Sequence, residues 1–319
     1  MADGTQVLEP SGGQDKEREN NVSGIRALLS RSLEKRWQAY GAQLKRCREE
    51  PSEDAVHDLR VAMRRLISTL MVLDAVLPDS RGRLQRVRRS LSKRLDRFSS
   101  LRDTQVQALT IREMLPAFPE LQPYHRYLAG QERRLVKRIG KEVEKTDTAK
   151  LERIIAGVAE RLRALPDDLA AQEQVRAAVV GATEAAFGRV AKRRRKIDPA
   201  KAATIHRMRV AFKKFRYMAE ALEPMLDGVG NEQIKSMGVF QDMMGKIQDT
   251  EVLLASLAAF LTGKSKAYKR SVRPAQEELA RRRAAWIDEF LASADQIYTF
   301  WGPKQVSKAA QTSPEDGGA

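Results

Sequence analysis

The sequence predicts an all-α protein. Apolar residues recur three and four apart through nearly the whole chain, the spacing of one face of a helix. No segment alternates polar and apolar residues in the manner of a strand, and no Asn-Gly hairpin signal occurs. Prolines, glycines and polar clusters cut the periodic stretches into lengths suited to single helices.

The elements follow in order. Residues 1–20 are polar and rich in Gly, Asp and Glu, and read as a disordered tail. The first helix is expected at 23–49. Pro51 and Ser52 then open a helix over 53–76, whose acidic first turn, Glu53-Asp54, suits the helix dipole. Pro78 and Gly82 precede a helix over 83–115. Pro116, Pro119 and Pro123 make a corner, followed by helices over 121–145 and 148–164. Pro166-Asp167-Asp168 marks the middle. Helices over 170–194, 199–223, 230–262 and 266–300 complete the set, and residues 303–319 form a second polar tail.

Composition bounds the function. The 319 residues carry 58 lysines and arginines against 42 acids, a net charge of +16. Such an excess points to phosphate-rich partners: nucleic acid, an anionic membrane or another polyphosphate. Cys47 is the only cysteine, so no intrachain disulfide forms and a reducing, cytoplasmic home is expected. The opening residues lack the pattern of a secretory signal. The longest uncharged apolar stretch, Val252 to Leu261, is far short of the about 20 residues of a membrane span. With only His57, His125 and His206 beside one cysteine, no metal site is expected, and no cofactor.

Laid side by side, the helices show an internal repeat. His57-Asp58-Leu59-Arg60-Val61-Ala62-Met63-Arg64-Arg65-Leu66 matches His206-Arg207-Met208-Arg209-Val210-Ala211-Phe212-Lys213-Lys214-Phe215, offset by 149 residues. Asp103-Thr104-Gln105-Val106 matches Asp249-Thr250-Glu251-Val252, offset by 146. The repeat predicts two halves, 21–165 and 166–302.

On each motif helix the charges form a stripe. His57, Arg60 and Arg64 align, with Val61 and Arg65 beside them, opposite Leu59, Met63 and Leu66. His206, Arg209, Lys213 and Tyr217 align likewise, flanked by Lys214 and Arg216, opposite Met208, Phe212 and Phe215. A merely solvated face usually mixes signs for i,i+4 pairing. Here Asp58 is the only acid in either stripe. Like charges at helical spacing repel, and a polyanion supplies the missing charge. Each histidine opens its stripe in phase with it, and phosphate contact favours the charged imidazole.

Further basic rows join the candidate surface. Arg86, Arg89, Lys93 and Arg97 share one helix face. The run Lys192-Arg193-Arg194-Arg195-Lys196 suits either a ligand or a helix C-terminus. Lys269, Arg270, Arg273 and Arg281–Arg283 read as solvated faces. Asp103 and Asp249 read as helix N-caps or partners of basic side chains, not as catalytic groups.

These motifs resemble the CHAD family, the conserved histidine α-helical domain. His57-x-x-Arg60-Val61-x-x-Arg64-Arg65 and His206-x-x-Arg209-Val210-x-x-Lys213-Lys214 carry the resemblance. So do Leu101-Arg102-Asp103-Thr104-Gln105-Val106 and Ile247-Gln248-Asp249-Thr250-Glu251-Val252-Leu253. The likeness spans about residues 22–300. It implies two four-helix bundles related by a pseudo-twofold axis and a basic central surface binding inorganic polyphosphate. It also implies a cytoplasmic location, sometimes at polyphosphate granules. Many relatives carry a fused triphosphate-tunnel catalytic domain; its alternating E-x-E-x-K strand is absent here, so a stand-alone, non-catalytic module is expected. Lys213 and Lys214 keep the charge of arginine but lose its fork, which makes the second half the weaker binder. The rival partners are nucleic acid or another polyanion, and a metal-dependent phosphohydrolase is the remaining alternative.

Overall fold

The computed structural model describes residues 24–223 and 230–301. Among them are nine α-helices and no strand. These are α1 (Ile25–Glu49), α2 (Glu53–Val76), α3 (Arg81–Met114), α4 (Gln122–Glu144), α5 (Ala149–Arg163), α6 (Leu169–Arg194), α7 (Ala202–Leu222), α8 (Asn231–Leu261) and α9 (Lys266–Ser293). Short 3-10 turns cover Pro78–Ser80, Pro119–Leu121 and Ala294–Thr299. The final predicted helix therefore ends as α-helix at Ser293 and tightens. Both predicted tails, 1–20 and 303–319, lie outside the described residues.

Local chemistry sets the helix starts. The Ser52 hydroxyl accepts from Ala55 N–H at 3.2 Å at the head of α2, and Asp168 accepts from Ala171 N–H at 2.9 Å at the head of α6. Each satisfies a first-turn donor that the helix itself cannot. Ahead of α7, Thr204 ties down the turn. Its hydroxyl accepts from Asp198 N–H at 3.0 Å and donates to the Lys201 carbonyl at 2.7 Å. That turn fixes where His206 enters.

Neighbouring helices pack in chain order, α1 on α2, α2 on α3 and α3 on α4, then α6 on α7, α7 on α8 and α8 on α9. The α5 helix is an addition, packed on α1 and α3. The helices that carry the repeated motifs meet: α2 packs on α7, and α3 on α8.

The apolar stripes read from the sequence form the core. Leu59, Met63 and Leu66 of α2 and Met208, Phe212 and Phe215 of α7 are at most 1% exposed. Phe212 sits edge-on to Phe240 at 5.0 Å, a geometry that adds about 0.5–1.5 kcal/mol beyond area burial. A second cluster lies where α3 and α4 meet α8 and α9, with Ile111, Met114 and Tyr124 against Leu253, Leu257 and Val272. The Tyr124 hydroxyl crosses it, donating to Ser256 at 2.8 Å. On α3, Arg102, Asp103 and Val106 fall between Leu101 of the main core and Ile111 of the second. The same holds on α8 for Gln248, Asp249 and Val252, between Ile247 and Leu253. Two packed clusters thus bracket a polar zone. Among the described residues no helix is long and apolar enough to cross a membrane.

Candidate functional site

Burial of one face of α2 and α7 fixes the rotation of both helices. Their basic faces are thereby turned toward a shared cleft of about 960 Å³. His57, Arg60, Arg64 and Arg65 of α2 line it, as do His206, Arg209, Lys213, Arg216 and Tyr217 of α7. Ser99, Arg102 and Asp103 of α3 close one side. Lys235, Gln241, Gly245, Lys246 and Asp249 of α8 close another. Nine lysines and arginines line the cleft against four acids, Asp103, Glu220, Asp242 and Asp249.

The cations are held from behind. Arg60 is 7% exposed, and its Nη2 reaches Ser99 Oγ at 3.4 Å. Arg216 donates from Nε to Gln241 Oε1 at 3.1 Å. The Tyr217 ring supports two guanidiniums, Arg216 at 4.6 Å and Arg64 at 5.9 Å from its centroid. Gly238 and Gly245 keep α8 bare beneath the arginines. A Cβ there would lie 3.4 Å from Arg216 Nη1 and 3.8 Å from Arg209 Nη2. At the corresponding place on α3, 146 residues earlier, Ser99 carries the hydroxyl that meets Arg60.

The electrostatics are those of an underneutralised cluster. Burial, then Arg64, lowers Arg60 to about 10. Burial, then Arg64 and Arg209, lowers Lys213 to about 7. Arg64 also falls, chiefly by burial. Both effects penalise the cationic form. Burial raises Asp103 and Asp249, against the pull of Arg60 on the first and Arg209 on the second. The buried Nε groups of Arg60, Arg64 and Arg209 have no hydrogen-bond partner. Such donors are costly to leave unpaired.

Asp103 and Asp249 correct the sequence reading in one respect. They lie well inside α3 and α8, so neither is an N-cap. The chain runs helical on both sides of each, and their place is the cleft wall among arginines. Among the described residues no three His, Cys, Asp or Glu side chains cluster to hold a metal ion.

Not every expected residue comes to the cleft. Arg86, Arg89, Lys93 and Arg97 are exposed on α3 and absent from its lining; Arg97 pairs instead with Glu142 at 3.7 Å. The core takes Leu84, Val87 and Leu91, which turns that row to solvent. Lys214 is also outside, in a separate groove between α6 and α7. Sequence reasoning overlooked Arg102, although it precedes the repeated aspartate, and the α8 residues Lys235, Gln241 and Lys246. The repeat flagged the position of Arg102 but gave no reason to prefer it to the α3 row.

Comparison with known proteins places this geometry. No curated protein matches the chain. The crystal structure of the CHAD domain from the plant Ricinus communis is similar, with a TM-score of 0.65 at 19% identity, over 85% of this chain and 91% of that one. At that identity the likeness speaks for the fold alone. The sequence model of the CHAD domain matches residues 31–258, which include both basic helices and both aspartate segments. The chain belongs to the CHAD domain family.

Proposed function

We propose that the protein is a non-catalytic binder of inorganic polyphosphate, held in the cleft between α2 and α7. One observation carries the reading: the buried Nε donors of Arg60, Arg64 and Arg209 lack partners within a cluster rich in like charge. A phosphate chain supplies acceptors and neutralising charge together. Arginine forks onto two oxygens, while Lys213 acts as a point charge. His57 and His206 stand at the exposed edge of the cleft.

The aromatic content favours a phosphate polymer over single-stranded nucleic acid. A single strand calls for aromatic platforms. Among the described residues Tyr217 is the only Phe, Tyr or Trp in the lining, and its ring already carries Arg64 and Arg216. The single, buried Cys47 fits a reducing cytoplasm, and an association with polyphosphate granules belongs to the same proposal.

Binding of this kind releases counterions. By the rule for nucleic acids, about six phosphate contacts imply a loss of roughly a thousandfold in affinity between about 50 and 200 mM salt. The direct test is titration of Arg60→Ala with Arg64→Ala. Retention of the wild-type affinity at physiological salt contradicts the proposal.

A further inference from the structure

A second basic groove lies on the other flank of α7. Between α6 and α7 is a cavity of about 670 Å³ lined by Arg189, Lys192, Arg193, Lys196, Arg207 and Lys214, with no acid among its lining residues. Ala186, Val210 and Ala211 complete its apolar walls. Among the described residues none of the six cations forms an ion pair; in the same run Arg194 is the one that does, with Asp295 at 3.0 Å. His206 lines both this groove and the central cleft.

The helix dipole accounts for cations in the last turn of α6. It does not account for Arg207 and Lys214 on α7, which bring like charge against them at a cost in repulsion. The first half solves the same place differently. Asp58 occupies the position of Arg207, and it binds Arg46 near the end of α1 at 2.6 Å. Glu49 and Glu50 close α1, whereas Arg195 and Lys196 follow the end of α6. One half is neutralised from within; the other is left cationic.

We propose that the α6–α7 groove is a second phosphate-binding site, continuous with the cleft at His206, that takes the overhanging length of a linear phosphate polymer. This rests on the polyphosphate reading of the cleft. A chain leaving the cleft past His206 meets Arg207 and Lys214 on one wall and Lys192 and Lys196 on the other. Short chains fill the cleft alone; long ones fill both. The asymmetry also sets a direction, since in the first half Asp58, paired with Arg46, stands where Arg207 stands in the second.

The test compares tripolyphosphate with long-chain polyphosphate on the full chain and on Arg207→Asp with Lys192→Ala. Both substituted residues are exposed and outside the cleft. Tripolyphosphate should bind both proteins alike. Long-chain polyphosphate should bind the variant roughly tenfold more weakly, with the salt slope reduced by about 2. Lys192→Ala with Lys196→Ala, which alters only the end of α6, should show the same split. Equal long-chain affinity in wild type and both variants overturns the groove. So does an equal loss for both polymers. If the wild-type protein binds neither polymer, the reading of the cleft itself has failed.

Discussion

Arg65 of α2 donates from Nε to Glu220 Oε1 of α7 at 2.7 Å, so the one ion pair between the two motif helices sits on the wall of the cleft they form. Glu220 is largely buried, and Arg36 of α1 approaches the same oxygen at 3.9 Å. The pair joins three helices, yet it also spends a carboxylate inside a site built of cations. Replacing it therefore has two opposite effects. Glu220→Gln should lower stability by about 0.5–1 kcal/mol, the usual scale of a partly exposed pair. The same change should tighten polyphosphate binding several-fold by freeing Arg65. Thermal melting and titration of one variant check both signs.

The two basic rows of the first half should separate cleanly. Arg86→Ala with Arg89→Ala removes exposed charge outside the cleft and should weaken binding no more than a fewfold. Arg60→Ala with Arg64→Ala removes two lining guanidiniums and should weaken it roughly a hundredfold, at about 1.4 kcal/mol per factor of ten. Titrations at one salt concentration decide between them, and equal losses would mean that the cleft has no special standing.

Lys213 gives the site a pH dependence of defined sign. Burial and four neighbouring arginines lower it from 10.5 to about 7 in the folded protein. The unfolded chain keeps that proton up to the ordinary value. Between the two values the unfolded state binds more protons, so this group makes the folded protein more stable as pH rises across that window. A polyanion reverses the trend for binding. It favours the ammonium, so affinity should fall as pH rises through 7, with proton uptake on binding. Calorimetry in buffers of different ionisation enthalpy measures the uptake. Lys213→Arg should flatten the part of the profile that belongs to this residue.

The carboxylates in the cleft give a test of chemistry. If Asp103 and Asp249 only tune the surrounding charge, Asp249→Asn should bind polyphosphate at least as tightly as the wild type. Phosphate release from polyphosphate should stay at the buffer rate, with and without magnesium. Magnesium-dependent release that Asp249→Asn abolishes would move the protein to the hydrolase reading.

The helices were legible because their signals are local. Ser52 caps the helix that the sequence opens there, and the stripes of Leu59, Met63 and Leu66 and of Phe212 and Phe215 mark the core faces by their spacing alone. The motif residues on α2 and α7 were legible because each basic stripe is opposite an apolar one, so burying one face aims the other. On α3 the same logic misled. The spacing of Arg86, Arg89, Lys93 and Arg97 shows that they share a face, but only the packing of α3 on α2 and α4 decides where that face looks. The α8 contribution was hidden for a different reason. Lys235, Gln241 and Lys246 are scattered along a helix with little one-sided polarity, and Gly245 matters because of what lies above it, Arg209 of another helix.

The central claim is tested most directly by calorimetric titration with long-chain polyphosphate at physiological salt, with duplex DNA as competitor. The proposal predicts tight binding that the duplex does not displace, since the unpartnered donors of Arg60, Arg64 and Arg209 are buried in the cleft. Weak binding, or displacement by the duplex at equal phosphate concentration, would contradict it and leave a general polyanion surface in its place.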